Sequence, residues 1–384
     1  MERRTRVVHM TTVHHPYDPR IYHKQCRSLQ EAGFDVTLIA RRDPKGNEAG
    51  KTIPHVKLKT YKSRLGRMIF GTYDAYRKAK AVDADIITFH DPELLPAARA
   101  LKNKNNTVIY DIHEDYITSI MQKDYLSEPV KRIAASGYKL MEKFFTRGMG
   151  LSLAEKYYEE RYPEGVWILN YPTVNEKFLQ HERTGPAEDR VLYTGNVSHV
   201  RGALQHARLP VIDPDINVHF VGKCPGELAE EMYEAAGSAA DRLNIEGIDS
   251  FIEKEVIEER YLERNWLADI ALFPPTEHYR KKELTKFFEY MNAGLPVICS
   301  DFPVWKGFID KYECGIAVDP DDDQAVKKAL DHLRNHPEEA ARMGQNGKKA
   351  VMEELNWQTQ ERKLVRWYNA LSGTDAAPRR AEEA

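Results

Sequence analysis

Short apolar runs recur along the chain, and most are followed by a polar loop and then by a helix-period pattern. The clearest unit lies at 273–300. Ile270, Ala271, Leu272 and Phe273 close an apolar run that breaks at Pro274 and Pro275. Leu284, Phe287, Phe288 and Met291 then fall at i, i+3, i+4 and i+7, which predicts a helix. Gly294 stops it and Pro296 prevents a restart. The run 297–300 reads as the next buried strand, so strand, loop, helix and strand form one unit of a parallel sheet. Lys282, Lys286 and Glu289 are spaced to share the helix face away from the apolar stripe. The free N–H groups at the start of such a helix point into the loop after the strand, where open α/β sheets bind ligands. A diphosphate fits there, with Lys286 as counter-charge. Glu289, one turn on, can accept two hydroxyl hydrogen bonds, such as those of a ribose diol. An ordinary surface Lys–Glu pair explains the same spacing.

Earlier in the chain the pattern repeats. Strands are predicted at 6–10 and 36–40, with a helix over 21–32 ended by Gly33. The loop between the first strand and the helix holds His14, His15, Asp18 and Arg20, and Asp18 is placed to cap the helix. The absence of G-x-G-x-x-G after the first strand argues against a nicotinamide-dependent oxidoreductase. Further strands at 85–89 and 108–112 lead into His90-Asp91-Pro92-Glu93 and His113-Glu114-Asp115-Tyr116. A histidine beside a carboxylate at a strand end can bind sugar hydroxyls or handle a proton, and it can equally be structural. A basic amphipathic helix is expected over 131–147, with short strands at 149–153 and 166–169.

A polar Gly/Pro segment at 181–190 marks the linker, with domains at 1–180 and 181–356, a final helix at 357–372 returning to the first domain, and a loose tail at 373–384. In the second half, strands are expected at 191–194, 218–221 and 316–318, with another near 245–252. Gly195-Asn196 opens a glycine turn after a strand, a weak phosphate-cradling signal, and Arg201 follows it. The acidic run at 319–323 looks like a metal motif, but carboxylates at a helix start explain it without metal.

Composition sharpens this in two places. Residues 1–180 carry 30 Lys/Arg against 22 Asp/Glu, a balance of +8, whereas the remainder carries 26 against 37, a balance of −11. Such asymmetry suits a first half that meets an anionic acceptor or membrane surface, or it serves solubility alone. At 57–80, Lys and Arg alternate with Tyr61, Leu65, Met68, Ile69, Phe70, Tyr73 and Tyr76. That mixture fits a segment lying on a bilayer, or a connecting helix with a solvated basic face. Four scattered cysteines and a charged N-terminus running straight into a strand point to a cytoplasmic protein, with peripheral contact at the inner face of the plasma membrane in view.

The segment 286–298, KFFEYMNAGLPVI, closely resembles the donor-site segment of family-4 retaining glycosyltransferases. The resemblance spans nearly the whole chain to about 372. It implies an α/β fold of two Rossmann-like domains facing across a cleft, the GT-B architecture. It further implies that Gly195, Asn196, Arg201, Lys286 and Glu289 bind a nucleotide-sugar donor, UDP- or GDP-linked. Glu289 would hold the ribose, while Arg201 and Lys286 stabilise the leaving diphosphate. His113, in a segment similar to one lying near the reacting sugar, is the third catalytic candidate. His15, Arg20, His90, Asp91 and Glu114 are implied on the acceptor side. Where the family usually pairs two glutamates, this chain has Lys281 at the earlier position, and Asn196 stands where an arginine is usual. The reaction implied is metal-independent hexosyl transfer to a hydroxyl by front-face displacement, in polysaccharide or glycolipid synthesis. No cofactor beyond the nucleotide sugar and no nucleic-acid partner is implied. A non-catalytic partner subunit of the same fold and a sugar-nucleotide epimerase are the alternatives.

Overall fold

A computed structural model describes residues 3–43, 46, 52–121, 127–181, 185–263 and 265–373. The strand-loop-helix units assemble into two parallel sheets. The first comprises β1 (Arg6–Met10), β2 (Asp35–Arg41), β3 (His55–Leu58), β4 (Ile86–Phe89), β5 (Thr107–Ile112), β6 (Gly150–Leu153) and β7 (Val166–Trp167), in the order β3-β2-β1-β4-β5-β6-β7. The second comprises β8 (Glu188–Thr194), β9 (Asn217–Cys224), β10 (Leu243–Ile248), β11 (Trp266–Ala271), β12 (Val297–Ser300) and β13 (Gly315–Val318), in the order β10-β9-β8-β11-β12-β13. Each sheet has one reversal of strand order, β1 beside β4 and β8 beside β11. Loops that leave such a pair diverge and open a crevice at the carboxyl ends of the strands.

Both faces of the first sheet are covered, which is why its strands read as near-continuous apolar runs. Val8, Met10, Ile87, Phe89, Val108 and Tyr110 pack on one side. Val7, Val36, Leu38, Ile86 and Ile109 pack on the other, against Trp357, Leu364, Trp367 and Tyr368. The Trp357–Ser372 helix belongs to this unit, which comprises Met1–Asn170 and Trp357–Ala384. Three polar contacts tie it down: Trp357 Nε1 donates to Ser28 Oγ at 3.0 Å, the Leu169 amide donates to Gln360 Oε1 at 3.0 Å, and the Tyr368 and Thr88 hydroxyls meet at 2.6 Å.

The second unit begins at Tyr171, ahead of the boundary expected at 180/181. Tyr171 packs edge-on to Phe288 with ring centroids 4.8 Å apart, and Phe178 to Tyr261 at 5.8 Å, so these residues join the second core before the polar linker is reached. Part of that linker, 182–184, and the tail from 374 lie outside the described residues.

Several boundaries shift. The helix expected over 21–32 begins as a wide π-type turn, Pro19–Cys26, and continues as Arg27–Glu31. Asp18 caps it, accepting from the Arg20 and Ile21 amides. Asp322 likewise caps Asp323–Asn335, accepting from Gln324 and Ala325, which gives the acidic run its structural role. The 57–80 stretch divides into the edge strand β3, a turn at Arg64–Gly66, a π-type turn at Arg67–Gly71 and the helix Thr72–Val82. No helix among the described residues is long and apolar enough to cross a membrane.

Candidate functional site

In the second unit, polar groups gather at the reversal between β8 and β11. The chain turns sharply after β8 at Gly195, where φ is +84°. A Cβ there would lie 2.6 Å from Lys286 Nζ, so the lysine occupies the space that only a glycine leaves. Gly202, at φ +75°, closes the same loop against β11: a Cβ on it would fall 1.9 Å from the Leu272 carbonyl oxygen. His206 secures that contact by accepting the Leu272 amide at 2.7 Å through Nε2. Burial, helped by the Lys286 charge, pushes His206 down to about 3, so it is a neutral structural acceptor.

Lys286 stands in the first turn of the Thr285–Asn292 helix, whose N-terminus has no side-chain cap. The Phe287 amide turns back to the Leu284 carbonyl at 3.0 Å, and no side chain caps the Thr285 and Lys286 amides ahead of it, a helix start suited to an anion. The lysine is only 6% exposed, and its ammonium lies over the Tyr193 ring at 4.6 Å with no hydrogen-bond partner among the described residues. Burial pushes the ammonium down to about 8; Glu289 and Asp269 oppose the fall and Arg201 adds to it. Arg201 is half-buried, donating from Nε to the Tyr279 hydroxyl at 3.2 Å and from Nη1 to the Asn196 carbonyl at 3.4 Å. Tyr193 donates to that carbonyl too, at 2.8 Å. Asn196 thus contributes its backbone to the site while its side chain is exposed. Glu289 is exposed one turn beyond Lys286, and its carboxylate has no hydrogen-bond partner among the described residues. Two cations, a bare helix start and a nearby carboxylate are suited to an anion joined to a hydroxyl-bearing group.

Lys282 departs from the expectation. The helix starts at Thr285, so Lys282 precedes it, and its carbonyl accepts the Trp305 indole N–H at 2.8 Å. Lys281 ends the short Glu277–Lys281 helix and is exposed, while Glu283 accepts from the Tyr171 hydroxyl at 3.4 Å.

In the first unit the loops after β1, β4 and β5 meet over one buried carboxylate, Asp111, which is fully inaccessible. Arg20 grips it with both edges, Nη2 to Oδ1 at 2.7 Å and Nε to Oδ2 at 3.0 Å. Ser152 donates to Oδ1 at 2.6 Å and Gln25 to Oδ2 at 2.8 Å. His113 Nε2 lies 2.6 Å from Oδ2 and His90 Nδ1 3.1 Å. Although burial opposes ionisation, Arg20 and His113 hold Asp111 well below the usual carboxylate range. Burial lowers His90 and His9, so both are neutral at pH 7. The network then assigns the tautomers. His90 donates from Nδ1 to Asp111, and its Nε2 accepts from His9 Nδ1 at 3.0 Å. In the neutral form of His113, donation from Nε2 leaves Nδ1 as the accepting nitrogen, on a ring that is not fully buried. An ionised carboxylate fixing a histidine this way prepares the other nitrogen to accept a proton or a hydroxyl hydrogen bond.

Three residues implied on the acceptor side, Arg20, His90 and Asp91, are therefore internal. Arg20, 4% exposed, is committed to Asp111, because an unpaired guanidinium at that depth would be costly. His90 is buried between His9 and His113. Asp91 is buried as well and shapes the loop after β1, accepting from the Thr11 hydroxyl at 2.8 Å and the Thr12 amide at 2.6 Å. His15 is nearly half exposed beside Asp43 at 3.3 Å, and Glu114 is exposed. His14 joins the group, between Asp18 at 3.5 Å and Asp91 at 3.4 Å. Burial pulls His14 down, but those two carboxylates prevail and raise it. His90, Asp111 and His113 present ligand atoms within 4.8 Å of one another. The Arg20 charge already neutralises that carboxylate, and its oxygens are taken by N–H and O–H donors, so the set is better suited to protons than to a cation. Asp111 and His9 were missed in the sequence; their signal is a lone polar residue within an apolar strand.

Two parallel-sheet α/β units, one bearing an anion-receptive helix start, define the class. The chain belongs to the group 1, family 4 glycosyltransferases: residues 188–350 match the model "Glycosyl transferases group 1" and residues 20–150 match "Glycosyltransferase Family 4". Its fold is similar to that of sucrose-phosphate synthase from Thermosynechococcus elongatus, with a TM-score of 0.73 and 18% identity over 97% of this chain and 100% of the other. A glycosyltransferase from Rickettsia africae gives 0.73 and 12% over 97% and 100%. HepE from Anabaena, solved with UDP and glucose, gives 0.68 and 11% over 96% and 100%. No curated protein matches the sequence.

Proposed function

We propose that this glycosyltransferase moves a hexosyl group from a nucleotide sugar to a hydroxyl acceptor with retention of configuration and without a metal ion. The observation that supports this most is the pairing of Lys286 with Arg201 beside Gly195, at the bare start of the Thr285–Asn292 helix. The bond from the anomeric carbon to the phosphate oxygen breaks there, and negative charge grows on the diphosphate. Arg201, Lys286 and the first helix amides stabilise it. The acceptor oxygen bonds to the same face of the anomeric carbon, and its proton passes to the departing phosphate. Glu289 accepts the ribose hydroxyls. The first unit, taken by itself, offers His15 and Glu114 to an acceptor, and His113 Nδ1 can accept a hydroxyl hydrogen bond. UDP is favoured as the nucleotide because HepE has been solved with UDP-glucose as well as with UDP.

The experiment is a panel of UDP-, GDP- and ADP-sugars, with released nucleotide and the anomeric proton of the product followed by NMR. Release with a retained anomer is expected. Conversion of the nucleotide sugar alone would instead identify an epimerase, and no reaction with any donor would leave a partner subunit. Replacing Glu289 with Ala is expected to weaken nucleotide-sugar binding roughly 10–100-fold, the range for losing hydrogen bonds to a charged group. Calorimetric titration checks it, and unchanged affinity would remove Glu289 from the donor site.

Attachment at the inner face of the plasma membrane, to a lipid-linked or otherwise anionic glycan acceptor, belongs to the same proposal. Leu65, Ile69, Phe70 and Tyr73 are exposed in the 57–80 stretch beside Lys62 and Arg64. Arg67 is not free to join them, because Glu93 holds it through two bonds of 3.0 and 3.1 Å.

A further inference from the structure

The Glu128–Phe145 helix buries charge and leaves an apolar stripe exposed. A surface helix ordinarily turns its apolar stripe to the core and its charges to water. Here the inward side carries charge beside Ala135 and Phe145. Lys131 and Glu142 are buried with Ala135, and Glu142 takes hydrogen bonds from Tyr138 at 2.9 Å and Tyr162 at 2.6 Å and pairs with Arg161. Fully partnered, this carboxylate fixes the rotation of the helix. The other side carries Val130, Ile133, Leu140, Met141 and Phe144 at helix-stripe spacing, and Ile133, Leu140 and Phe144 are 74%, 72% and 65% exposed. Arg132, Lys139 and Lys143, spaced i, i+7 and i+11, are exposed along one flank of the stripe.

We propose that this face lies on an anionic bilayer surface. The rotation set by Glu142 cannot bring the stripe into the core, so its apolar area is satisfied only from outside. The basic flank selects the occupant. Two copies meeting through this stripe would bring like charges together, whereas acidic headgroups complement them. On the inward side of the helix, Tyr116, just after the His113 loop, stacks on Tyr138 at 5.9 Å. The first unit therefore exposes two apolar, basic-flanked surfaces, this helix and the 57–80 stretch, and the helix packs against the segment that follows the His113 loop. Resting on the glycosyltransferase reading, this arrangement specifies an acceptor held in or at the bilayer.

The test uses the full chain and two vesicle preparations, phosphatidylcholine alone and equal parts phosphatidylcholine and phosphatidylglycerol. Co-sedimentation with the mixed vesicles only is expected. The variant I133S/L140S/F144S removes only exposed side chains, and its apparent affinity should fall at least about tenfold, as burial-driven interfacial binding requires. The variant R132E/K139E/K143E should fall as far, and wild-type binding should weaken with added salt. Wild-type levels of binding by the serine variant would overturn the proposal, as would no binding by the wild type. A concentration-dependent dimer that the serine variant abolishes, without vesicle binding, would overturn it in favour of a second copy. Nucleotide affinity, measured on the same preparations, reports separately on the donor site: its absence would count against the glycosyltransferase reading and leave the surface result standing.

Discussion

Replacing Lys286 with Met is expected to lower kcat by about 10²–10³-fold, the cost of deleting one preorganised group that faces developing negative charge. Folding should not suffer. Burial holds the ammonium at about 8, below its ordinary 10.5, so the folded protein carries this charge at a cost at neutral pH. Between those two values the unfolded chain binds more protons than the native one, and stability rises with pH across the window. The methionine variant lacks that penalty and should melt no lower than wild type at pH 7. The same titration predicts a pH profile. In the free enzyme the ammonium is charged below about 8 and neutral above it, so affinity for the nucleotide diphosphate should fall as pH climbs through that point. The fall should be absent from the methionine variant, whose affinity starts lower and stays flat. Calorimetric titration with the nucleoside diphosphate across pH 7 to 9.5 reads this directly. A wild-type profile matching the variant's would mean that Lys286 does not face the phosphates.

Much of this site was legible because its elements are local. Leu284, Phe287, Phe288 and Met291 set a helix period, Gly294 and Pro296 end it, and the following strand Val297–Ser300 stands where the pattern puts it. Asp18 was readable as a cap, and the acidic run 319–323 as the start of a helix, because such contacts reach only two or three residues along the chain. The failures involve contacts that no local pattern records. Arg20 sat in a polar loop and read as a ligand contact, yet its partner Asp111 is 91 positions away. Strand β3 went unread because four residues at a sheet edge, only one of them buried, carry little periodicity. Amphipathicity marked the basic helix near 131–147, but it could not say which side faces inward. That was decided by Tyr162 and Arg161, which lie beyond the helix and capture Glu142. Local chemistry thus wrote the elements, while burial of long-range charge partners selected which polar residues remain open to a ligand.

That selection leads to the largest stability effect expected in the molecule. Replacing Asp111 with Asn should cost about 3–5 kcal/mol, because it strands the Arg20 guanidinium in the interior without a counter-charge. The amide can still take part of the hydrogen-bond load, so the loss measures charge more than shape. Removing both charges should hurt less than removing either. In R20M/D111N no charge is buried unpaired and the amide oxygen still accepts, so the double variant should recover most of the loss, a coupling that a double-mutant cycle in urea quantifies. The pH dependence has a definite sign. Arg20 and His113 depress the native Asp111, so its contribution is complete above the ordinary carboxylate value of about 4 and is lost as pH falls below it. The Asn variant should show a shallower loss of stability on acidification from pH 5. It should also disturb His113, whose Nε2–H loses an ionised acceptor 2.6 Å away, so that Nδ1 is no longer held as the bare nitrogen. The 15N shifts of the His113 ring report the tautomer directly. Nε2 protonation that survived unchanged in the Asn variant would show that something other than Asp111 sets the proton on this histidine.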